Sequence, residues 1–293
     1  MALERDGFFY DVEALELAAR DAPELRDGAP TPLAAIEGDV DAADFHARVV
    51  SLGAAGLREL DTLLARGFRP GEAWVEPSTF APLAPCDTAR ATYVHIDPRA
   101  SAAWPVRIGH ARSLVGQDAL LDVPDGEHLD FEVGVAALIG EDLERASATE
   151  VRSAIAGWMV LVEVVMLDVE RAATCHLSTP RGSRVAVGPW LTPPHASGRL
   201  EDARVSLTLR GATVDVGPLG EHFGARRAEE AIARASSLVP IAAGDLVGLG
   251  PLPRATGRAL AIGWQLHERL DVVVGGLGAL RVTAVSARER ARG

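Results

Sequence analysis

Glu163 is the residue whose setting says most about chemistry. It lies in Val160-Leu-Val-Glu-Val-Val-Met-Leu167, with apolar neighbours on both sides. A single carboxylate buried in such a run costs several kcal/mol unless it is paired, protonated or bound to a metal ion. Two readings stay open: the strand lies at the surface with Glu163 wet or paired with an arginine, or Glu163 belongs to a functional site. A second carboxylate, Glu132, sits in Leu129-Asp-Phe-Glu-Val-Gly-Val135. Strand residues i and i+2 point the same way, about 7 Å apart, so a Glu-x-Glu pair can aim two carboxylates at one hard cation. The second position here is Gly134, which leaves that pair incomplete. Taken alone, Glu132 also reads as a solvated strand residue.

The elements that must position these groups are mostly strands. Leu129, Phe131, Val133 and Val135 alternate with Asp130, Glu132 and Gly134, and Met159 to Leu167 reads as a buried strand. Ser147-Ala-Thr-Glu150 is a capping box that predicts a helix through about Gly157. A hairpin is expected at Val205 to Val216 around Arg210-Gly211, and another at Leu270 to Val282 turning at Gly275-Gly276. A helix from about Arg227 to Ser237 precedes Gly244-Asp-Leu-Val-Gly-Leu-Gly250. No regular strand–helix alternation is present, which argues against a doubly wound parallel sheet. Near the start, Asp41 to Val50 and Leu57 to Arg66 have helical periodicity, the second stopping at Gly67. The proline-rich stretch Pro77 to Pro98 marks the boundary region, giving a small N-terminal domain over residues 1–82 and a larger one over 83–293.

Composition removes whole classes of function. The 293 residues carry 41 acidic side chains against 29 basic ones, a net charge of −12 that repels nucleic acid and anionic membrane surfaces alike. All 29 basic residues are arginine. Schiff-base chemistry and any lysine general base are therefore excluded, because arginine stays protonated. Only Cys86 and Cys175 are present, at unrelated spacing, so neither a disulfide framework nor a thiolate zinc site is indicated. No apolar run is long enough to span a bilayer and the start does not read as a signal peptide, so a cytoplasmic location is the expectation.

Five segments in order resemble the fumarylacetoacetate hydrolase family. Leu129-Asp-Phe-Glu-Val-Gly-Val-Ala-Ala-Leu-Ile-Gly140 is similar to its LDFELEVAAVIG segment, and Ile155-Ala-Gly-Trp158 with Val162-Glu163 to the segment that ends in Asn-Asp. Arg181-Gly-Ser-Arg-Val-Ala-Val-Gly-Pro-Trp190 resembles the stretch that carries the active-site lysine. Gly244 to Gly250 resembles GDVIGSG, and Val272 to Arg281 the closing EVEGLGTLRNR hairpin. The resemblance covers about residues 105–285. It implies an α+β, β-rich fold, a mixed β-sandwich roll of fumarylacetoacetate hydrolase type preceded by the small N-terminal domain.

The same resemblance assigns roles. Glu132 keeps the first metal ligand, Gly134 removes the second, and Glu163 stands for the usual aspartate, with Asp87 as a further carboxylate. Arg181 replaces the lysine as catalytic and substrate-binding group, and Pro251 replaces the threonine that follows the segment ending at Gly250, itself placed at the substrate. The water-activating histidine corresponds to His95, with His110 as the fallback beside the substrate. The implied cofactor is Mg²⁺, or Ca²⁺ or Mn²⁺, stabilising an enolate from a 2-oxo or 1,3-dicarbonyl acid during C–C hydrolysis, decarboxylation or isomerisation. The alternatives are a metal-independent cyclase, dehydratase or isomerase, and a non-catalytic small-molecule scaffold. Relatives suggest a homodimer.

Overall fold

The computed structural model describes residues 2–5, 8–21, 45–75, 91–97, 106–110, 113–124, 128–168, 184–223 and 227–290. Asp87, Arg181 and both cysteines lie outside them, as does the side chain of His110. The chain divides into two compact units, Met1–Ala81 and Pro82–Gly293.

The first unit holds strands β1 (Ala2–Arg5), β2 (Phe8–Asp11) and β3 (Trp74–Val75) in one sheet, with helices α1 (Val12–Asp21) and α2 (Phe45–Ala65). The two helices expected on either side of residue 53 are one continuous 21-residue helix. Its internal glycines each cost about 1 kcal/mol. Burial of Leu52, Leu57, Leu60, Leu63 and Leu64 against Tyr10 and Leu15 offsets that cost.

The second unit carries a seven-stranded and a five-stranded sheet. Its strands are β4 (Thr92–Ile96), β5 (Val106–His110), β6 (Leu114–Val115), β7 (Ala119–Val123), β8 (Leu129–Ile139), β9 (Ile155–Met166), β10 (Val185–Thr192), β11 (Arg204–Leu209), β12 (Ala212–Pro218), β13 (Leu246–Leu249), β14 (Arg269–Val274) and β15 (Gly278–Ser286). The seven-stranded order is β5-β4-β13-β8-β9-β10-β6, and the five-stranded order is β12-β11-β14-β15-β7. Strand β4 falls within the stretch expected to be an irregular domain boundary; Tyr93, Val94, His95 and Ile96 are all buried, and that burial outweighs the flanking prolines.

The capping box is present on α3 (Ala148–Ala154), where Ser147 accepts from the Glu150 amide. The helix ends three residues before the expected Gly157, and Ile155 passes directly into β9. Pairing along the full length of β8 wins over helix propagation: Ile155 stands opposite Ile139 and Trp158 opposite Ala137. The hairpin between β11 and β12 turns on Arg210 and Gly211 at φ 54° and 77°, the pair of positive values a two-residue type I′ turn requires.

One face of the large sheet, with Val94, Ile96, Phe131, Val133, Val135, Val160, Val162 and Val164, packs onto the inner face of the small one, with Leu207, Val272, Leu280 and Val282. That double layer is the core. The other face of the large sheet carries the polar residues.

Candidate functional site

Register alone gathers the site. In an antiparallel pair, directly opposed residues project to the same side of the sheet. Glu163 on β9 is opposed by Glu132 on β8, and Gly134 follows Glu132 by two. On β13, Gly248 is opposed by Ala136 of β8 and paired in parallel with His95 of β4. His95 is opposed in turn by Arg107 of β5. His95, Arg107, Glu132, Gly134, Glu163 and Gly248 therefore share one face.

Strands β4 and β9 are separated by β13 and β8, a distance of about 14 Å in a flat sheet. Yet His95 Nδ1 lies 3.3 Å from Glu163 Oε2. From β5, four spacings away, Arg107 donates from Nη2 to Glu163 Oε2 at 3.2 Å and from Nη1 to Oε1 at 3.5 Å. The face must curl inward for these groups to meet. Glycines on the two intervening strands keep its floor clear. A Cβ on Gly248 would lie 2.7 Å from the Tyr93 hydroxyl, and one on Gly134 would lie 2.5 Å from the Leu249 carbonyl oxygen.

His95 is 2% exposed and Glu163 4%. At that burial an isolated carboxylate is not tolerated, and Arg107 supplies the countercharge. His95 Nε2 faces the Gly250 carbonyl at 3.0 Å, while Nδ1 faces the Tyr93 hydroxyl at 2.9 Å as well as Glu163. Proton bookkeeping follows from those partners. A carbonyl only accepts, so Nε2 carries a hydrogen in either charge state. In the neutral ring Nδ1 then accepts from Tyr93; in the imidazolium it donates toward the Glu163 carboxylate and the Tyr93 oxygen. The pocket is wired for both forms.

Glu132 is 8% exposed, and the segment around it is fixed by a short bridge to Thr256. Asp130, two residues before it, accepts from the amides of Phe131 and Arg258 and pairs with the Arg258 guanidinium at 3.1 Å. These bonds dock the short helix Gly257–Leu260 onto β8. Burial pushes the Asp130 carboxyl above its ordinary range, against the lowering influence of its hydrogen bonds and of Arg258.

Of the expected site residues, the structure brings Glu132, Glu163, His95 and Gly250 together, Gly250 through its backbone oxygen. Strand β5 pairs with β4 so that the His110 backbone stands opposite Thr92. Arg107 and Tyr93 were not expected there. Tyr93 shares a strand face with His95 at i and i+2, a signal legible in Thr92-Tyr-Val-His95. Arg107 gives no such signal, because its place depends on β5 pairing with β4.

The described donors fit a divalent cation poorly. Glu163 already receives Arg107, and a cation on the same carboxylate would meet that guanidinium at close range, a repulsion of several kcal/mol at any dielectric suited to a protein interior. At Gly134 the Leu249 carbonyl closes the position where a second carboxylate would stand. Among the described residues no group of three His, Cys, Asp or Glu side chains could hold a metal ion.

Comparison with known proteins places this architecture. Maleylpyruvate hydrolase from Sphingobium sp. SYK-6 superposes with a TM-score of 0.67 at 15% identity, over 97% of this chain and 95% of that one. The structure of that enzyme in complex with manganese(II) ion and pyruvate superposes at 0.64 over the same extents, again at 15% identity. The 2-hydroxyhepta-2,4-diene-1,7-dioate isomerase from Mycobacterium marinum gives 0.57 at 18% identity, over 70% of this chain and 77% of that one. A search of curated proteins finds no match. The family described as fumarylacetoacetate (FAA) hydrolase C-terminal matches residues 84–285, a span running from ahead of β4 into the end of β15. With the five segments, the two-sheet roll and that match in agreement, the chain belongs to the fumarylacetoacetate hydrolase family.

Proposed function

We propose that the chain is an enzyme that acts on a small 2-oxo or 1,3-dicarbonyl acid, promoting C–C hydrolysis, decarboxylation or isomerisation through an enolate. The observation that carries this reading is the connected series Tyr93, His95, Glu163 and Arg107, the first three of them buried. His95 takes the proton that must leave the substrate or the attacking water, and Glu163 stabilises the imidazolium that results. Tyr93 hands a proton to Nδ1 while accepting one from the reacting group. Arg107 holds the carboxylate in place and presents its remaining N–H groups to an anionic ligand. Family membership supports the reaction type. The similar structures described as a hydrolase and an isomerase point the same way.

Mg²⁺, Ca²⁺ or Mn²⁺ would supply enolate stabilisation when bound, and would need donors beyond the described set, Asp87 among them. The tight position at Gly134 favours the metal-independent alternative over the metal-assisted one. A carbonyl acid is the partner the site asks for, with Arg181 and His110 as further substrate contacts. The charge of −12 argues against nucleic acid, and a cytoplasmic homodimer is the proposed state.

A panel of acylpyruvates and β-keto acids, followed by loss of ultraviolet absorbance and product chromatography, tests the reading. Turnover that falls at least 100-fold in Glu163→Gln is the expected result. Turnover of no compound by the folded chain, or undiminished turnover in Glu163→Gln, overturns it.

A further inference from the structure

We infer that Arg107 is the resident cation of this site, so that the pocket binds a 2-oxo carboxylate directly on the guanidinium, without a divalent ion. The inference rests on the reading of the pocket as an oxo-acid site, and adds to it the identity of the group that holds the acid.

Three observations carry it. First, Arg107 reaches both oxygens of Glu163, yet the Arg107 side chain keeps 13% exposure against 5% for the Glu163 side chain. A guanidinium has five N–H donors in one plane, and Glu163 occupies one on each terminal nitrogen. The others remain to grip a second carboxylate or an enolate oxygen side by side, the geometry that arginine meets better than lysine.

Second, the Glu163 carboxylate has a countercharge without a metal. The Arg107 guanidinium meets Glu163 Oε2 at 3.2 Å and Oε1 at 3.5 Å, where water reaches the carboxylate little. A bound oxo acid then meets the remaining N–H donors of that guanidinium. A divalent ion on the same carboxylate would meet the guanidinium at close range.

Third, the position where a further carboxylate would be needed is closed by backbone rather than by a side chain. Backbone cannot swing aside, so the Leu249 carbonyl 2.5 Å from the ideal Cβ of Gly134 is a fixed exclusion.

The experiment uses the full chain, stripped with EDTA, and oxalate as a planar mimic of the enolate of a 2-oxo acid. Calorimetric titration with oxalate in EDTA reads metal-free binding, and electron paramagnetic resonance of added Mn²⁺ reads ion uptake. The expected result is oxalate binding in EDTA, no stoichiometric Mn²⁺ uptake by the unaltered chain, and at least a tenfold loss of oxalate affinity in Arg107→Gln. Arg107→Lys, which keeps the charge and the fold but loses the planar fork, should fall between the two. Stoichiometric Mn²⁺ uptake by the unaltered chain, oxalate binding that appears only with Mn²⁺, or unchanged oxalate affinity in both Arg107 variants overturns the inference. Its failure is separable from that of the enzymatic reading. Turnover abolished by EDTA and restored by Mn²⁺ removes the inference and keeps the enzyme. Metal-free oxalate binding without turnover of any acid does the reverse.

Discussion

His95 Nδ1 and Glu163 Oε2 stand 3.3 Å apart although their strands are third neighbours in the sheet. Only an inward-curling face with glycines on the strands between can bring them so close. The pair thus reports on the curvature of the whole sheet as well as on local chemistry. Replacing Glu163 removes the carboxylate that Arg107 and His95 both contact. In Glu163→Gln the volume is kept and the charge lost, and the fold should weaken by about 3 kcal/mol. Urea midpoints read that loss, and steady-state rates on the acid panel read the accompanying drop in turnover. A variant as stable as the unaltered chain would show that the carboxylate is not ionised in the folded protein.

Tyr93 touches His95 at 2.9 Å and is itself 5% exposed. Removing the hydroxyl alone, in Tyr93→Phe, withdraws one hydrogen bond worth about 1 kcal/mol and leaves the packing of the ring intact. Stability should therefore change little, while turnover falls about tenfold and the acidic limb of the pH–rate profile moves. A fall in stability without any change in that profile would make Tyr93 a packing residue only.

Much of this was legible in the order of residues, and the exceptions have a common cause. The alternation in Leu129 to Val135, the capping box at Ser147 and the Arg210-Gly211 turn are local patterns, and each is found where local physics puts it. Glu163 stood out because a carboxylate in an apolar run demands a partner. Which partner it finds is a matter of long-range pairing: Arg107 is 56 residues away and reaches it only because β5 and β4 form one edge of a curled sheet. The end of α3 at Ala154 is of the same kind, since a strand pairing made elsewhere decides where the helix stops. Gly134 could be read as a missing ligand. That the gap is sealed by the backbone of β13 could not, because sequence spacing carries no information on how closely two strands approach.

Gly134 gives the sharpest packing test. A methyl group there would press on a backbone oxygen at 2.5 Å and on Leu161 at 3.3 Å. The leucine can turn, but the carbonyl is held in the pairing of β13 with β8. Gly134→Ala should cost about 1–3 kcal/mol, an overpacking penalty, measured by urea denaturation. Gly134→Glu should cost more and should gain no Mn²⁺ affinity. A variant that folds normally and takes up the ion would mean that β8 and β13 separate readily.

Asp130 links stability to pH with an unusual sign for a carboxylate. Burial holds its folded-state pKa above the ordinary 3.8, so between that value and the raised one the native chain keeps a proton that the unfolded chain has lost. The contribution of this group to stability is therefore fully present below the ordinary value and is lost as pH rises through the raised one. Asp130→Asn removes the titration while keeping the shape and an amide oxygen that can still accept from Phe131 and Arg258. Measured by urea denaturation from about pH 3 to about pH 7, the stability of the unaltered chain relative to Asp130→Asn should decline with rising pH and then level off. The Arg258 ion pair works in the opposite direction, since it favours the charged carboxylate. If the relative stability instead rises with pH, that pair outweighs the burial, and Arg258 rather than the surrounding apolar wall governs how the Gly257–Leu260 helix stays docked beside Glu132.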